Sequence, residues 1–191
     1  MTFTFLLYLF ICTFYKLLDN TFIGTVLAGI LLAYLGFYLY SQEKELDIAY
    51  AKKQKIQELS TILLNHINIS VKDYQTQISA FEGNSIVVKT LLDYINSISP
   101  GHVDVQNTSR FSKYINDIAD SLNLLSTHLA LGDKHKQNLG VLQDNVPTLN
   151  TYFSTVSVLS KMSKADLQEI SKVITEKSTL IKGTLQCIIS K

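Results

Sequence analysis

Asn20–Ser41 reads NTFIGTVLAGILLAYLGFYLYS, 22 residues without a formal charge. At a rise of 1.5 Å per residue, a helix of that length reaches ~33 Å, enough to cross a ~30 Å hydrocarbon layer. The stretch predicts a membrane-spanning helix, and the rest of the chain divides around it. Met1–Tyr15 (MTFTFLLYLFICTFY) is also uncharged and is followed by Lys16. Counted through Leu18, with Lys16 snorkelling, it predicts a first span over 2–18, at the lower limit of spanning length. A signal peptide is the competing reading; it lacks a basic n-region and a small-x-small cleavage site. Lys16–Asn20 then serves as the turn of a two-span hairpin, with a single span as the alternative.

Orientation follows from lysine bias. Lys44, Lys52, Lys53 and Lys55 follow the second span closely, whereas the turn holds only Lys16. The positive-inside rule therefore predicts that everything after Ser41 is cytoplasmic. Tyr34, Phe37, Tyr38 and Tyr40 crowd that end of the span, as in an interfacial aromatic belt. Thr25, Gly29, Ala33 and Gly36 recur along one face, and Gly24 with Ala28 forms a second pair beside them. Small-residue stripes let helix backbones approach closely in lipid. This one suits either the first helix or a second copy of the chain. The run has no ionisable side chain, so it offers nothing for an ion pathway built from charges.

After the hairpin (1–41), residues 42–191 are long enough for one soluble domain with its own core. They carry 16 basic residues against 15 acids, and Arg110 is the chain's single arginine. That balance lacks the basic footprint of a protein that grips long nucleic acid. Cys12 and Cys187 are too far apart in sequence to suggest a disulfide framework, which fits a reducing compartment.

Helical periodicity dominates this part. Ile56, Leu59, Leu63, Ile67, Val71, Tyr74, Ile78 and Phe81 step by three and four. Within them, Asn65–Val71 (NHINISV) alternates like a strand and predicts a break, giving two packed helices. A helix is expected over Ile86–Ile98, closed by Pro100–Gly101, followed by a non-helical passage, SPGHVDVQNTS, with Thr108 or Ser109 capping the next helix. There Phe111, Ile115, Ile118, Leu122, Leu125 and Leu129 repeat in alternating steps of four and three, which suits a coiled-coil contact or a core helix. A short helix is expected over Lys134–Asp144, then another over Thr148–Met162 with Pro147 at its first turn. Ser163 and Asp166 resemble a capping box opening a last helix, with Leu167, Ile170, Ile174, Ile181, Leu185 and Ile188 as its apolar stripe. The predicted fold class is all-α: a transmembrane helical hairpin followed by a cytoplasmic bundle of five to seven helices.

Chemistry is sparse. His66, His102, His128 and His135 have no His, Cys or acid at zinc-ligand spacing, so no metal site is expected. Gly-rich phosphate loops and nucleophile elbows are absent. The closely spaced Arg and His of all-helical HEPN ribonucleases are missing too, since Arg110 is next followed by His128. Neither an enzyme nor a cofactor is implied. The candidate ligand-binding residues are His102, Gln106, Asn107, Thr108, Ser109, Arg110 and Lys113. An Arg, hydroxyls and free N–H groups at a helix start suit an anion, and the amides suit a base edge. His102 or Tyr114 could stack on such a base. Lys134–Gln137 (KHKQ) is a second cluster. Both also read as ordinary solvated loop and capping residues.

A short two-span anchor, a helical cytoplasmic domain without catalytic motifs, and signs of self-association together resemble the cyclic-tetra-adenylate-binding membrane effectors accessory to type III CRISPR antiviral defence. The likeness covers the whole chain as architecture, and no short motif carries it. It implies a bacterial inner-membrane protein, a homo-oligomer (a tetramer being one such assembly), a cyclic oligoadenylate ligand, and membrane helices that rearrange on binding. A membrane-tethered scaffold or immunity-type protein, holding a protein partner through the Phe111–Leu129 face, is the reading from another class. A membrane-bound nuclease dependent on Arg110 is a third.

Overall fold

A computed structural model describes residues 21–83 and 102–190 together with Thr13, and side chains over 24–82, 108–132 and 134–190. The expected first span, the Lys16–Asn20 turn and the Ile86–Ile98 helix lie outside the described residues. Every element among those described is helical. They are α1 (Thr21–Gly83), α2 (His102–Leu129), α3 (Lys136–Phe153) and α4 (Lys164–Ile189). Two 3-10 segments, Asp133–His135 and Ser154–Lys161, flank α3. The chain forms two compact units, Met1–Ala51 and Lys52–Lys191.

In the first unit α1 carries the uncharged run, and its large side chains face outward: Leu32 is 70% exposed and Phe37 71%. A core helix of a soluble protein would bury such residues, and here only 6% of the apolar window is buried. The exposure continues past the uncharged run at Leu46, Ile48 and Tyr50.

Among the described residues, the second unit is an up-and-down arrangement of four helices. Gln57 Nε2 on α1 donates to the Ile189 carbonyl at 2.9 Å, and Gln75 Nε2 donates to Thr175 Oγ1 at 3.0 Å, so α1 and α4 run antiparallel. On its other side α1 meets α2, again antiparallel, through Asp73–Tyr114 and His66–Ser121. Helix α3 packs on both α2 and α4. The apolar stripes of all four helices, including every α4 position expected from the sequence, meet in one core.

The expected break at Asn65–Val71 does not occur, because α1 runs through it as one helix. The reason is which of its apolar residues find a core. Ile67 and Val71, four apart, are buried, whereas Ile69 between them is 52% exposed. Buried hydroxyls do not interrupt the helix either. Ser60 Oγ donates to the Ile56 carbonyl and Ser70 Oγ to that of His66, both at 2.7 Å, inside the helix's own ladder.

The expected loop before Phe111 is corrected in the same way. Helix α2 already begins at His102, so Thr108 and Ser109 lie inside it rather than capping it, and the HVDVQ run is helical. The Phe111–Leu129 seam is turned inward: Phe111, Ile118, Leu122, Leu125 and Leu129 are buried. It therefore makes the bundle's own core and is not free to hold a partner.

A third correction concerns Pro147, which lies well inside α3 rather than opening a new helix. Proline deletes one ladder bond and disfavours a helix interior by about 3 kcal/mol. Leu142, Val146, Leu149 and Phe153 form a buried stripe across it, and burial of such side chains at roughly 1.5–3 kcal/mol each outweighs that cost. After Phe153 the chain tightens to 3-10 geometry. Ser154 Oγ and Thr155 Oγ1 each donate to the carbonyl three residues back, at 2.6 Å, while Val156 and Leu159, three apart, point into the core.

The Ser163 capping box is present. Ser163 Oγ accepts from the Asp166 N–H, and the Asp166 carboxylate accepts from the Ser163 N–H, each at 3.2 Å. Hydrogen bonds from the Ser163 hydroxyl and backbone hold the Asp166 carboxyl below its ordinary 3.8. A depressed carboxylate stabilises the fold above its unfolded pKa and stops doing so as pH falls through the lower, folded value. Ser163→Ala is expected to destabilise the bundle by about 1 kcal/mol at neutral pH. The difference from wild type should shrink below pH 4, read from urea midpoints across an acid series.

Candidate functional site

Six residues past its start, α2 brings Thr108, Ser109, Arg110 and Lys113 to the surface, all exposed. In a helix, residues three and four apart share a face. Ser109 and Arg110 therefore lie one turn from Lys113, and Gln106 one turn before Arg110. The backbone sets His102, Gln106 and Asn107 in the first turns of α2, and their side chains lie outside the described part of the chain. The expected free N–H groups are not at Thr108–Arg110. In a helix beginning at His102, only its first four residues leave N–H groups outside the ladder. What the fold supplies here is a helix face with two cations and hydroxyls, not a capped loop.

Arg110 does not stand alone on that face. Its Nη2 lies 3.5 Å from Asp73 Oδ2 on α1, and its guanidinium carbon lies 5.5 Å from the Phe111 ring centre. Tyr114, one turn further on, donates its hydroxyl to the same Asp73 oxygen at 2.9 Å. Its ring meets Phe111 edge-on at 5.7 Å, so Tyr114 is held against the core as well as to Asp73. Asp73 thus holds two α2 side chains from α1.

The Tyr114 phenol is pushed up from 10.0 by burial first, then by its hydrogen bond to Asp73 and that residue's negative charge, with Arg110 opposing. Beneath this cluster Tyr74, Phe111 and Phe153 close the core, with Tyr74 edge-on to Phe111 at 5.4 Å and tilted against Phe153 at 5.3 Å. The Tyr74 hydroxyl is hydrogen-bonded to Thr155 Oγ1 at 2.6 Å, and burial raises its pKa from 10.0 to about 12. Both tyrosines favour the neutral form in the folded chain. The Tyr74 contribution is complete below pH 10 and is lost as pH rises through about 12. Stability should therefore fall over that window, and Tyr74→Phe should flatten the fall, as read from denaturation midpoints.

The second cluster falls elsewhere. Helix α2 runs away from Arg110 to Leu129, and Lys134–Gln137 lies just beyond, over the 3-10 turn and the start of α3. The two clusters therefore occupy opposite ends of the 52–191 unit and do not combine.

On the flank between α2 and α3 runs a groove of about 410 Å³, lined mainly by apolar groups of Ile115, Ala119, Leu122, Val146 and Pro147. The Asn150 side-chain oxygen is buried at its wall without a hydrogen-bond partner. His66 and Cys187 add no chemistry: His66 Nδ1 sits 3.4 Å from Ser121 Oγ at the α1–α2 contact, and Cys187 is a free exposed thiol. Among the described residues no group of three His, Cys, Asp or Glu side chains could hold a metal ion.

Asp73 was not legible as part of this site. It precedes a core tyrosine and has no motif around it, and only the antiparallel meeting of α1 and α2 brings it to Arg110. No family model matches the chain, and no curated protein or solved structure matches it either.

Proposed function

We propose that this chain is a membrane-anchored, non-enzymatic effector of bacterial antiviral defence. Its cytoplasmic helical domain takes a cyclic oligoadenylate on the Gln106–Lys113 face of α2, as a homo-oligomer in the inner membrane. Ligand binding then rearranges the membrane helices. The observation that supports this best is the reach of α1. One unbroken helix bears the outward-facing apolar run and also Asp73, the partner of the arginine expected to meet a phosphate. Arg110 is half-exposed, suited to phosphate in a planar, charge-assisted geometry, and Lys113 adds a second cation one turn away. Self-association lets near-neutral monomers gather several such arginines around one symmetric ligand.

Calorimetry of the full-length protein in detergent with cyclic tetra-adenylate tests the reading. Heat of binding is expected, with its loss in Arg110→Ala; wild-type protein that takes up no ligand would remove the proposal. The oligomer has a separate test. A Cβ added at Gly29 or Gly36 would meet nothing within 4 Å among the described residues. If copies pack through this stripe, Gly29→Leu with Gly36→Leu should lower the mass of the detergent-solubilised assembly. An unchanged mass would assign the stripe another role.

The scaffold reading keeps one observation in its favour, the α2–α3 groove with its unsatisfied Asn150 oxygen. Under that reading a stoichiometric protein partner is captured by wild type and lost on Ala119→Trp, with no effect of nucleotide.

A further inference from the structure

We propose that Asp73 is a built-in competitor for Arg110, so that an anion on α2 must take the guanidinium from α1 and thereby loosen the contact between the two helices. This rests on the reading that Arg110 meets a phosphate. The geometry is that of a latch held by one carboxylate oxygen. Asp73 Oδ2 accepts the Tyr114 hydroxyl at 2.9 Å, while Arg110 Nη2 stands 3.5 Å away, beyond a strong hydrogen bond. Tyr114 is therefore the tighter partner and Arg110 the one more easily withdrawn. Both ends of the ion pair are reachable from solvent, with Arg110 44% and Asp73 32% exposed.

An incoming phosphate offers the guanidinium paired oxygens in its own plane, which a carboxylate at 3.5 Å does not. Once Arg110 turns outward, Asp73 keeps its charge in a half-buried place where, among the described residues, the Tyr114 phenol is the remaining partner. That state costs more than the paired one, so occupancy on α2 weakens the grip of α2 on α1. Asp73 sits on the helix that also bears the apolar run, which gives binding a route to α1 without a moving loop. The ligand shifts the balance only by its preference for the open arrangement.

Full-length protein carrying 3-fluorotyrosine at position 114 reads the latch directly, because the fluorine signal follows the hydrogen bond to Asp73. Inorganic tripolyphosphate and cyclic tetra-adenylate are the two probes. The signal is expected to move with the anion and to stay still in Arg110→Ala. Asp73→Asn removes the competitor and should tighten anion binding about fivefold, the ratio expected for loss of a half-exposed ion pair. A response to tripolyphosphate alone supports the latch and sinks the cyclic-nucleotide reading; a response to the cyclic nucleotide supports both. A silent signal with both probes, or an Asp73→Asn protein that binds no tighter than wild type, overturns the latch even where calorimetry records cyclic tetra-adenylate binding.

Discussion

Phe153→Ala is expected to destabilise the 52–191 unit by about 3–5 kcal/mol, read from the urea midpoint of its helical circular dichroism. Phe153 is completely buried and ends the apolar stripe of α3, where its ring meets those of Tyr74 and Phe111. Those two rings belong to α1 and α2, so the cluster joins three helices at one point. Removing the ring withdraws its burial from water and leaves a cavity whose walls come from separate elements, which cannot all collapse into it. Domains of this size have a total stability of about 5–15 kcal/mol, so one such loss takes much of it. Leu131→Ala is the matched control. Leu131 is 75% exposed, and its removal should change the midpoint by less than about 0.5 kcal/mol. A midpoint for Phe153→Ala as small as that of the control would show that the aromatic cluster does not hold the bundle together.

The second large effect concerns the apolar run. Ile30→Lys with Leu35→Lys is expected to prevent stable membrane insertion, read by flotation of the full-length protein with lipid vesicles. Each lysine near the centre of a spanning helix costs about 2.5–3.5 kcal/mol on an insertion scale, so two approach the favourable free energy of the whole segment. Ile30 is 61% exposed and Leu35 48%, so neither substitution opens a hole in a packed core. The doubly substituted chain should therefore keep its helical spectrum and its urea midpoint while failing to float. Should it float as wild type does, the run is not what holds the chain to lipid. Should it instead lose its fold, the run is a core helix. This separates anchorage from folding, and the two predictions together treat the two units independently.

Much of the fold was legible because helical burial leaves a periodic signature in composition. The α4 stripe from Leu167 to Ile188 and the Ser163–Asp166 box depend on residues within a few turns of one another, and they appear as expected. The same local logic went astray where two local signals competed. Asn65–Val71 alternates like a strand, and Pro147 resembles a helix start, yet both lie within continuous helices. Neighbouring helices decided those cases, by burying Ile67 and Val71 but not Ile69, and by burying Val146 and Leu149 on either side of the proline.

The candidate site divides along the same line. Arg110 and Lys113 stood out in the sequence as a lone arginine with a lysine one turn away. Their setting did not, because Asp73 is remote in the chain and ordinary in its surroundings. By itself the order of residues determined helix content, the uncharged run and the stripes that would be buried, since each depends on short-range spacing and on transfer of side chains from water. Only the tertiary structure decided that the Phe111–Leu129 seam faces inward, that Tyr114 is a packed donor to Asp73, and that Arg110 is held from another helix. Those outcomes depend on which surfaces meet across the bundle, and contacts between distant residues leave no period in the sequence to read.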